Sequence, residues 1–340
     1  MSSSVAETNR RQFMQAMGSA ALISGGAAHA ANTTGTTGRP KIGALSACFH
    51  PFKAGANPEK AIDMIGEIGF EGIELFVCAK EDLSSYWTDA TVDKLKKQLE
   101  RNHLQVSQLG LFQPTVEGLS STDPDERNKN LDAFEKGCHI AARVGSPIVN
   151  IVAPWARELH GPTDYLPRYY EIENPKPGEK YHIDIAAGFD WDRIWKGYIA
   201  TTKACLERAK HHKLKFTIEN HTQTLVQNSD AFLRLWDAIR DPALGYNCDI
   251  GWTQANREYP PIAIYKVKDH LMNLHARDID GLMHRFVYVG EGVMDFKAVA
   301  DTLKSIGFNG YIDLEQDKGP GGDMVATCKR YLSMMKEYLA

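Results

Sequence analysis

Residues 306–315 read Ile306-Gly307-Phe308-Asn309-Gly310-Tyr311-Ile312-Asp313-Leu314-Glu315. A glycine after an apolar helical segment is typical of a helix C-terminus, and the aliphatic run that follows it indicates a buried strand. A similar turn near the other end of the chain reads Ile68-Gly69-Phe70-Glu71-Gly72-Ile73-Glu74-Leu75. The same helix-to-strand joint is therefore used twice, which favours a repeating unit of strand and helix.

Short strand-like runs alternate with longer amphipathic segments along the chain. This alternation is typical of a parallel sheet covered by helices, and 340 residues accommodate a barrel of about 250 residues with insertions. We therefore predict an α/β fold, a single (β/α)8 TIM barrel, over residues 41–340. The predicted strands are Lys41–Cys48, Gly72–Phe76, Gln105–Leu111, Pro147–Val152, Lys215–Ile218, Leu244–Cys248, His270–Leu274 and Tyr311–Leu314. The helical segments include Asp89–Asn102, Arg127–Val144, Asp192–His211, Ser229–Ile239 and Asp295–Ile306.

A long irregular stretch, Pro154–Asp190, follows the fourth predicted strand. It is rich in proline and tyrosine and exceeds the usual upper loop length of about 12–15 residues. An insertion at this point of a barrel lies above the C-terminal rim, where active sites form. Two interpretations stay open: a lid over the site, or an insertion that serves only as a decoration or a subunit contact.

The N-terminus has the features of an export signal. Asn9-Arg10-Arg11-Gln12-Phe13-Met14 is a twin-arginine pattern, a weakly apolar run covers Ala16–Ala28, and Ala28-His29-Ala30 is a small-residue cleavage site. We predict a twin-arginine signal peptide at residues 1–30, a linker at 31–40 and a mature protein that is periplasmic or secreted. The alternative is a disordered N-terminal tail.

Composition narrows the classes of partner. The net charge is −4 and there is no basic run with interleaved aromatic residues, which disfavours nucleic acid. No internal run approaches the roughly 20 apolar residues of a membrane span, so we expect no membrane association after signal removal. The six cysteines lack any C-x-x-C pairing and are interpreted as core residues. A small-molecule sugar is the expected partner, and a homo-oligomer is also compatible with the sequence.

Acidic or imidazole side chains stand at the ends of the last four predicted strands: Glu219, Asp249, His275 and Glu315. A lone carboxylate at such a point is usually a helix N-cap or a solvated residue. Four in matching positions are different, because the C-terminal ends of barrel strands converge on one axis. Three carboxylates and one imidazole predict one divalent metal ion, with Mn, Mg or Co preferred and Zn or Fe also compatible.

Five motifs together resemble the xylose isomerase-like superfamily of sugar phosphate isomerases and epimerases, from about Lys41 to the C-terminus. They are Thr217-Ile218-Glu219-Asn220-His221, Cys248-Asp249-Ile250-Gly251-Trp252, Leu274-His275-Ala276-Arg277-Asp278, Gly290-Glu291-Gly292-Val293-Met294-Asp295-Phe296 and Leu314-Glu315. The resemblance implies that the four residues ligate the metal and that Glu219 and Glu315 form the catalytic acid/base pair. The chain departs from the pattern at Trp252, where many relatives carry histidine.

Other residues are candidates for the pocket. His221 is predicted to act as a catalytic donor or to support a ligand, with a structurally hydrogen-bonded histidine as the alternative. Trp252 offers a flat apolar face for a pyranose ring, or packs in the core. The substrate-binding candidates are Trp252, Asp278, His284, Arg285, Glu291, Glu74 and His50. Of the loop residues, Asp278 and Glu291 match the family pattern.

The leading hypothesis is a metal-dependent isomerase or epimerase that abstracts a proton next to a carbonyl in an unphosphorylated sugar or derivative. Export and the lack of a glycine-rich phosphate cradle argue against phosphorylated substrates. The alternative is a 3-keto-glycoside lyase or hydrolase, in which the same proton abstraction leads to elimination of the C1 substituent. A catalytically silent sugar-binding protein is disfavoured because all four ligands are present. An endonuclease is disfavoured because a basic groove is absent.

Overall fold

The computed structural model describes residues 38–160, 184–281, 285–316 and 322–340. In this part of the chain, eight parallel strands close into a barrel. Labelled β1 to β8, they are Lys41–Leu45, Gly72–Val77, Gln105–Leu111, Ile148–Val152, Lys215–Glu219, Leu244–Asp249, Leu271–Ala276 and Tyr311–Leu314. Each strand pairs with its neighbours in chain order, and β1 closes the barrel by pairing with β8. The predicted TIM barrel is confirmed.

A helix of eight or more residues follows each barrel strand. Labelled α1 to α8, these helices are Glu59–Ile68, Asp89–Arg101, Pro124–Val144, Trp191–His211, Ser229–Ile239, Pro260–Val267, Phe296–Ser305 and Met324–Leu339. Shorter helical turns are Ser46–Cys48, Asp82–Ser85, Gln113–Val116, Glu117–Ser120 and Ile250–Ala255. Two small antiparallel pairs join Leu159–His160 to Asp184–Ile185 and Asp278–Ile279 to Phe286–Val287. None of the helices described here has the length and apolar character needed to cross a membrane.

Several strands end at different residues from those predicted. β1 stops at Leu45 because Ser46–Cys48 turns into a 3-10 helix. β6 and β7 run further than predicted, because Asp249 still pairs with His275 and Ala276 still pairs with Leu314. Three of the four predicted metal ligands are the last or next-to-last residues of strands: Glu219 and His275 pair with strands on both sides, and Asp249 pairs with His275.

Helix α3 begins three residues earlier than predicted. α3 starts at Pro124, because the Asp123 carboxylate accepts a hydrogen bond from the backbone N–H of Asp125 at 2.9 Å. An aspartate cap followed by proline in the first turn is a favourable start for a helix, since both satisfy the free N–H groups there. Residues 124–126 therefore join the helix although none of them is buried in the core.

The predicted insertion Pro154–Asp190 does follow β4, and the pairing of Leu159–His160 with Asp184–Ile185 brings its two ends together. Residues 161–183 lie outside the described part of the chain, so the lid interpretation stays a prediction. The predicted signal peptide and residues 31–37 of the predicted linker also lie outside it.

The apolar core lies between the barrel and its helices. Alternate strand residues such as Ile73, Val149, Phe216 and Ile312 point outward into it. The six cysteines are all buried, which confirms the prediction that they are core residues.

Gly43 of β1 marks the close packing inside the lower barrel. A Cβ atom at this position would lie 1.9 Å from Asp313 Oδ1 and 3.2 Å from the carbonyl oxygen of Gly72. Asp313 is fully buried, and its other oxygen accepts a hydrogen bond from Asn273 at 3.0 Å, so the carboxylate is not free to move aside. Only glycine fits here without displacing this pair.

We predict that Gly43→Ala destabilises the protein by about 1–3 kcal/mol, because the added methyl overpacks the barrel interior. The matched control is Gly197→Ala in α4, where a Cβ atom meets nothing within 4 Å. Alanine is the better helix former, so this variant should be stabilised by about 0.5–1 kcal/mol. Urea unfolding measures both values. Equal stability of the two variants would contradict the packing described here.

Candidate metal centre

The four predicted ligands occupy matching positions at the carboxyl ends of β5 to β8. Each directly follows a core residue that points outward toward the helices: Ile218, Cys248, Leu274 and Leu314. Because side chains alternate along a strand, the next residue points into the barrel. One possible ligand atom from each member of this quartet, Glu219, Asp249, His275 and Glu315, lies within 4.8 Å of the other three. The strands thus bring the four side chains to one point.

His275 lies at the centre of the quartet. Its Nδ1 atom is 2.9 Å from Glu315 Oε2 and 3.4 Å from Glu219 Oε2. His275 and Asp249 are completely buried, and the two glutamates expose less than a tenth of their surface. A cluster of three carboxylates this far from water needs a compensating positive charge.

Three atoms of the quartet have no well-aligned hydrogen bond among the described residues: Asp249 Oδ2, His275 Nδ1 and Glu315 Oε2. Buried polar atoms are rarely left in this state, because an ionic contact without hydrogen-bond alignment recovers only part of the lost hydration energy. All three belong to groups that ligate divalent cations. The donor set of three carboxylates and one imidazole therefore fits a cation that prefers oxygen ligands.

The pKa values of the quartet reflect the same crowding. Burial raises the pKa of Asp249 well above its ordinary value, although the nearby Arg277 opposes the shift. Burial alone would also raise the pKa of Glu315, but Arg277 and His275 lower it to about 2. For His275, burial acts to lower the pKa, yet the carboxylates of Glu74 and Glu219 raise it well above the usual value.

A layer of buried polar side chains lies one step further into the barrel. Thr217, two residues before Glu219, donates a hydrogen bond to Asn150 at 2.9 Å. The amides of Asn150 and Asn247 in turn donate to Glu219 Oε2 at 3.0 and 3.1 Å, which fixes the orientation of this carboxylate. The layer consists of Glu74, Gln108, Asn150, Thr217, Asn247, Asn273 and Asp313. Apart from Glu74, sequence reasoning missed it, although a polar residue two positions before each ligand is a readable signal.

Glu74 belongs to this layer rather than to the mouth of the barrel, where the sequence placed it. Its Oε2 atom lies 2.6 Å from His275 Nε2 and also accepts a hydrogen bond from Gln108 at 2.9 Å. Burial raises the pKa of Glu74 to about 8, although His275 lowers it. A carboxylate on one ring nitrogen orients the other nitrogen toward a metal, as in other histidine-ligated sites.

Two further candidates, His221 and Trp252, lie against each other. Their rings are 4.1 Å apart, and Trp252 is only 2% exposed. His221 Nδ1 is 3.2 Å from the carbonyl oxygen of Thr222, and its ring also meets the edge of Trp155. Trp252 is held in place because Asp249 Oδ1 accepts a hydrogen bond from its backbone N–H at 2.8 Å.

His50, another candidate, contacts Ser46 and Pro51 in the loop after β1.

The candidates in the loop between β7 and α7 are spread out. Asp278 is buried and accepts hydrogen bonds from the backbone N–H groups of Gly290, Gly292 and Met294, so it shapes the loop instead of facing a substrate. Glu291 is exposed and lies 3.4 Å from Arg330. Arg285 is exposed, and His284 lies outside the described residues.

The other half of the mouth is apolar. Leu45, Phe76 and Cys78 at the ends of β1 and β2 form a cluster separate from the main core, with Phe52 and Phe112 packed against it. Phe112 stacks on Phe52 at 4.8 Å and remains partly exposed. The barrel mouth therefore carries charged groups on β5 to β8 and an aromatic wall on β1 to β3.

The chain is similar in sequence to known proteins. A sequence profile of the family described as Xylose isomerase-like TIM barrel matches residues 62–335. An uncharacterized protein of Methanocaldococcus jannaschii is 24% identical over 161 residues, which is 43% of this chain and 52% of that protein. The chain thus spans about half the length of this curated relative.

Two solved structures share the fold over most of both chains. D-psicose 3-epimerase from Clostridium cellulolyticum H10, solved with D-tagatose, has a TM-score of 0.69 and 15% identity, covering 88% of this chain and 99% of the other. The 3-keto-D-glucoside 4-epimerase of E. coli has a TM-score of 0.67 and 16% identity, covering 88% and 100%. At these identities the likeness establishes the barrel architecture.

Asp249→Asn is expected to raise the melting temperature of the chelator-treated protein. The amide removes a buried charge, and its oxygen can still accept the N–H of Trp252. In saturating Mn2+ the parent should instead have the higher melting temperature. A ligand at about 1,000 times its dissociation constant stabilises the protein that binds it by about 4 kcal/mol.

Thermal melts with EDTA and with Mn2+ measure both effects. The matched control is Asp295→Asn, an exposed N-cap whose side chain accepts the Ala298 N–H at 2.9 Å. This control should keep the full rise in Mn2+. A full Mn2+-dependent rise in Asp249→Asn would show that the cation binds elsewhere.

Proposed function

We propose a function from one premise: the chain belongs to the Xylose isomerase-like TIM barrel family. On this premise we infer a divalent-metal-dependent isomerase or epimerase that acts on an unphosphorylated sugar or sugar derivative. The observation that carries the proposal is the presence of two buried glutamates, Glu219 and Glu315, within 3.4 Å of the same nitrogen of His275.

Glu219, Asp249, His275 and Glu315 would hold the metal. Mn, Mg or Co suits this oxygen-rich set best, with Zn or Fe as further candidates. When bound, the cation supplies positive charge beside a substrate carbonyl, which lowers the cost of developing negative charge on that oxygen. The three atoms without an aligned hydrogen bond support this assignment.

Glu219 and Glu315 are assigned the proton transfers. One carboxylate removes the proton from the carbon next to the carbonyl, and a carboxylate returns it to the other face or to the neighbouring carbon. Return to the other face gives an epimer, and return to the neighbouring carbon gives the ketose–aldose isomer. The hydrogen bonds from Asn150 and Asn247 to Glu219 support this role because they fix where its oxygens point.

A sugar fits the two-sided mouth. The ring and its hydroxyls would lie between the polar quartet and the aromatic wall formed by Phe52, Phe76 and Phe112, since sugars present both polar edges and apolar C–H faces. The two similar solved proteins are named for D-psicose and for a 3-keto-D-glucoside, which supports a keto sugar as the substrate class.

We also propose that the protein is exported through the twin-arginine pathway. Arg10-Arg11 followed by an apolar run and a small-residue cleavage site support this. A periplasmic or secreted enzyme would meet unphosphorylated sugars, consistent with the proposed substrate class.

A 3-keto-glycoside lyase is the second candidate. In this reaction a carboxylate removes the C2 proton, a C1=C2 double bond forms as the C1–O bond breaks, and a proton passes to the departing oxygen of the aglycone. Two observations support this candidate: the similar E. coli enzyme is named for a 3-keto-glucoside, and the aromatic wall suits an apolar aglycone.

One experiment separates the candidates. Metal-loaded protein is incubated in deuterated water with free ketoses and with 3-keto-glycosides, and the products are followed by NMR. Deuterium in an intact epimer or isomer supports the proposed function, whereas release of the aglycone with an unsaturated sugar supports the lyase. Tight binding without exchange indicates a silent sugar-binding protein.

Glu219→Gln and Glu315→Gln should each reduce turnover by about 10²–10⁴-fold, because an amide neither accepts nor returns the proton in the reaction. Circular dichroism should show an intact fold in both variants. The matched control, Glu207→Gln, changes an exposed residue of α4 that pairs with Lys210 and should retain full activity. Near-parental turnover in either site variant would remove the proposed acid/base pair.

Phe112→Ala should raise KM about tenfold with kcat nearly unchanged. Loss of the exposed ring face removes roughly 1–2 kcal/mol of apolar contact that ground state and transition state share. Steady-state kinetics on the substrate found by NMR measure the split. An unchanged KM would place the sugar away from the aromatic wall.

A further inference from the structure

Arg277 is a buried cation beside the candidate metal centre. It follows β7 directly and, by strand alternation, points inward above Asn273 and His275. Only 4% of its surface is exposed. Its Nη1 atom donates a hydrogen bond to Glu315 Oε1 at 3.0 Å and lies 3.5 Å from Asp249 Oδ2. One guanidinium therefore bridges two members of the quartet.

Aromatic rings hold this guanidinium in place. Its central carbon lies 3.6 Å from the centre of the Phe286 ring and 5.2 Å from that of Trp252. The two rings meet at right angles, 4.5 Å apart. Phe286 lies in the small antiparallel pair that begins at Asp278. The Asp278 carboxylate accepts a hydrogen bond from the Gly290 N–H and so holds the same loop in place. Such stacking suits the flat guanidinium better than the ammonium of a lysine.

The two carboxylate oxygens of Glu315 have different partners. Oε1 is engaged by Arg277, while Oε2 faces His275 Nδ1 at 2.9 Å. The positive charge of Arg277 repels a divalent cation bound nearby. We therefore expect that Arg277 assists metal binding through its geometry and not through its charge. A donor fixed on one oxygen orients the other, in the way that hydrogen-bonded groups behind metal ligands do.

We infer that Arg277 is a positioning residue, clamped by Phe286 and Trp252, that orients Glu315 and Asp249 for the divalent cation. The inference rests on the metal centre of the proposed function. It adds that the loop between β7 and α7 sets the geometry of the centre through this guanidinium. The role is separable from charge, because a lysine keeps the charge and loses the planar, stacked fork.

Binding of Mn2+ by chelator-stripped protein tests the inference without a substrate. The dissociation constant is measured by titration calorimetry for the parent, Arg277→Met and Arg277→Lys, with melting temperatures in EDTA as a check of folding. Both variants should bind Mn2+ about 10–100-fold more weakly. Arg193→Met, at an exposed arginine of α4, is the control and should bind as the parent does.

Phe286→Leu keeps the guanidinium and removes the nearer of its two aromatic contacts, while Trp252 stays in place. It should weaken Mn2+ binding about 2- to 5-fold, and it tests the clamp even if the Arg277 variants fail to fold. Unchanged or tighter binding in Arg277→Met, with parental affinity in Arg277→Lys, would overturn the inference and leave only a repulsive charge. Unchanged binding in Phe286→Leu would remove the aromatic clamp.

These results are distinguishable from a failure of the proposed function. If Mn2+ binds with the predicted dependence on Arg277 but no sugar exchanges deuterium, the isomerase proposal fails while the positioning role stands. If the parent binds no Mn2+ at all, the metal centre and the inference fail together.

Discussion

The repulsion between three carboxylates buried around one imidazole is the constraint on which the rest of the site depends. Glu219, Asp249 and Glu315 are withdrawn from water, and burial raises the pKa of Asp249 well above its ordinary value. Within the described part of the chain, three ligand-type atoms have no aligned hydrogen bond. A fold selected for stability alone would not keep such a cluster, because each buried charge and each poorly hydrogen-bonded polar atom costs free energy. Arg277 compensates part of this charge, and the divalent cation that we propose would turn the remaining repulsion into coordination.

The barrel accommodates these buried polar groups because side chains alternate between the two faces of each strand. Outward residues of each strand build the apolar core, so the inward residues are free to be polar. Below the quartet, Asn150 and Asn247 fix Glu219, and Glu74 fixes His275. The mouth itself is divided between charged groups on the late strands and aromatic side chains on the early ones. This division underlies our proposal of a sugar substrate, because a sugar has polar edges and apolar faces.

Much of this could be predicted from the sequence, for physical reasons. Alternating strands and amphipathic helices indicated the barrel, and matching positions at strand ends indicated the quartet. Strand limits were less accurate, because the end of β7 depends on pairing between Ala276 and Leu314, which no local pattern reveals. The depth of Glu74 was also wrong: it depends on the stagger of β2 against its neighbours, which includes a register shift between Ile73 and Leu75. No local signal distinguishes Phe112 from a core residue, because only barrel closure separates it from the main core.

A crystal grown with Mn2+ tests the central claim most directly, through the anomalous scattering of the ion. The account predicts one strong anomalous peak inside the barrel mouth, with oxygen or nitrogen atoms of Glu219, Asp249, His275 and Glu315 each within about 2.6 Å of it. A quartet that stays free of anomalous density at saturating Mn2+, or a peak ligated by other residues, would contradict the account.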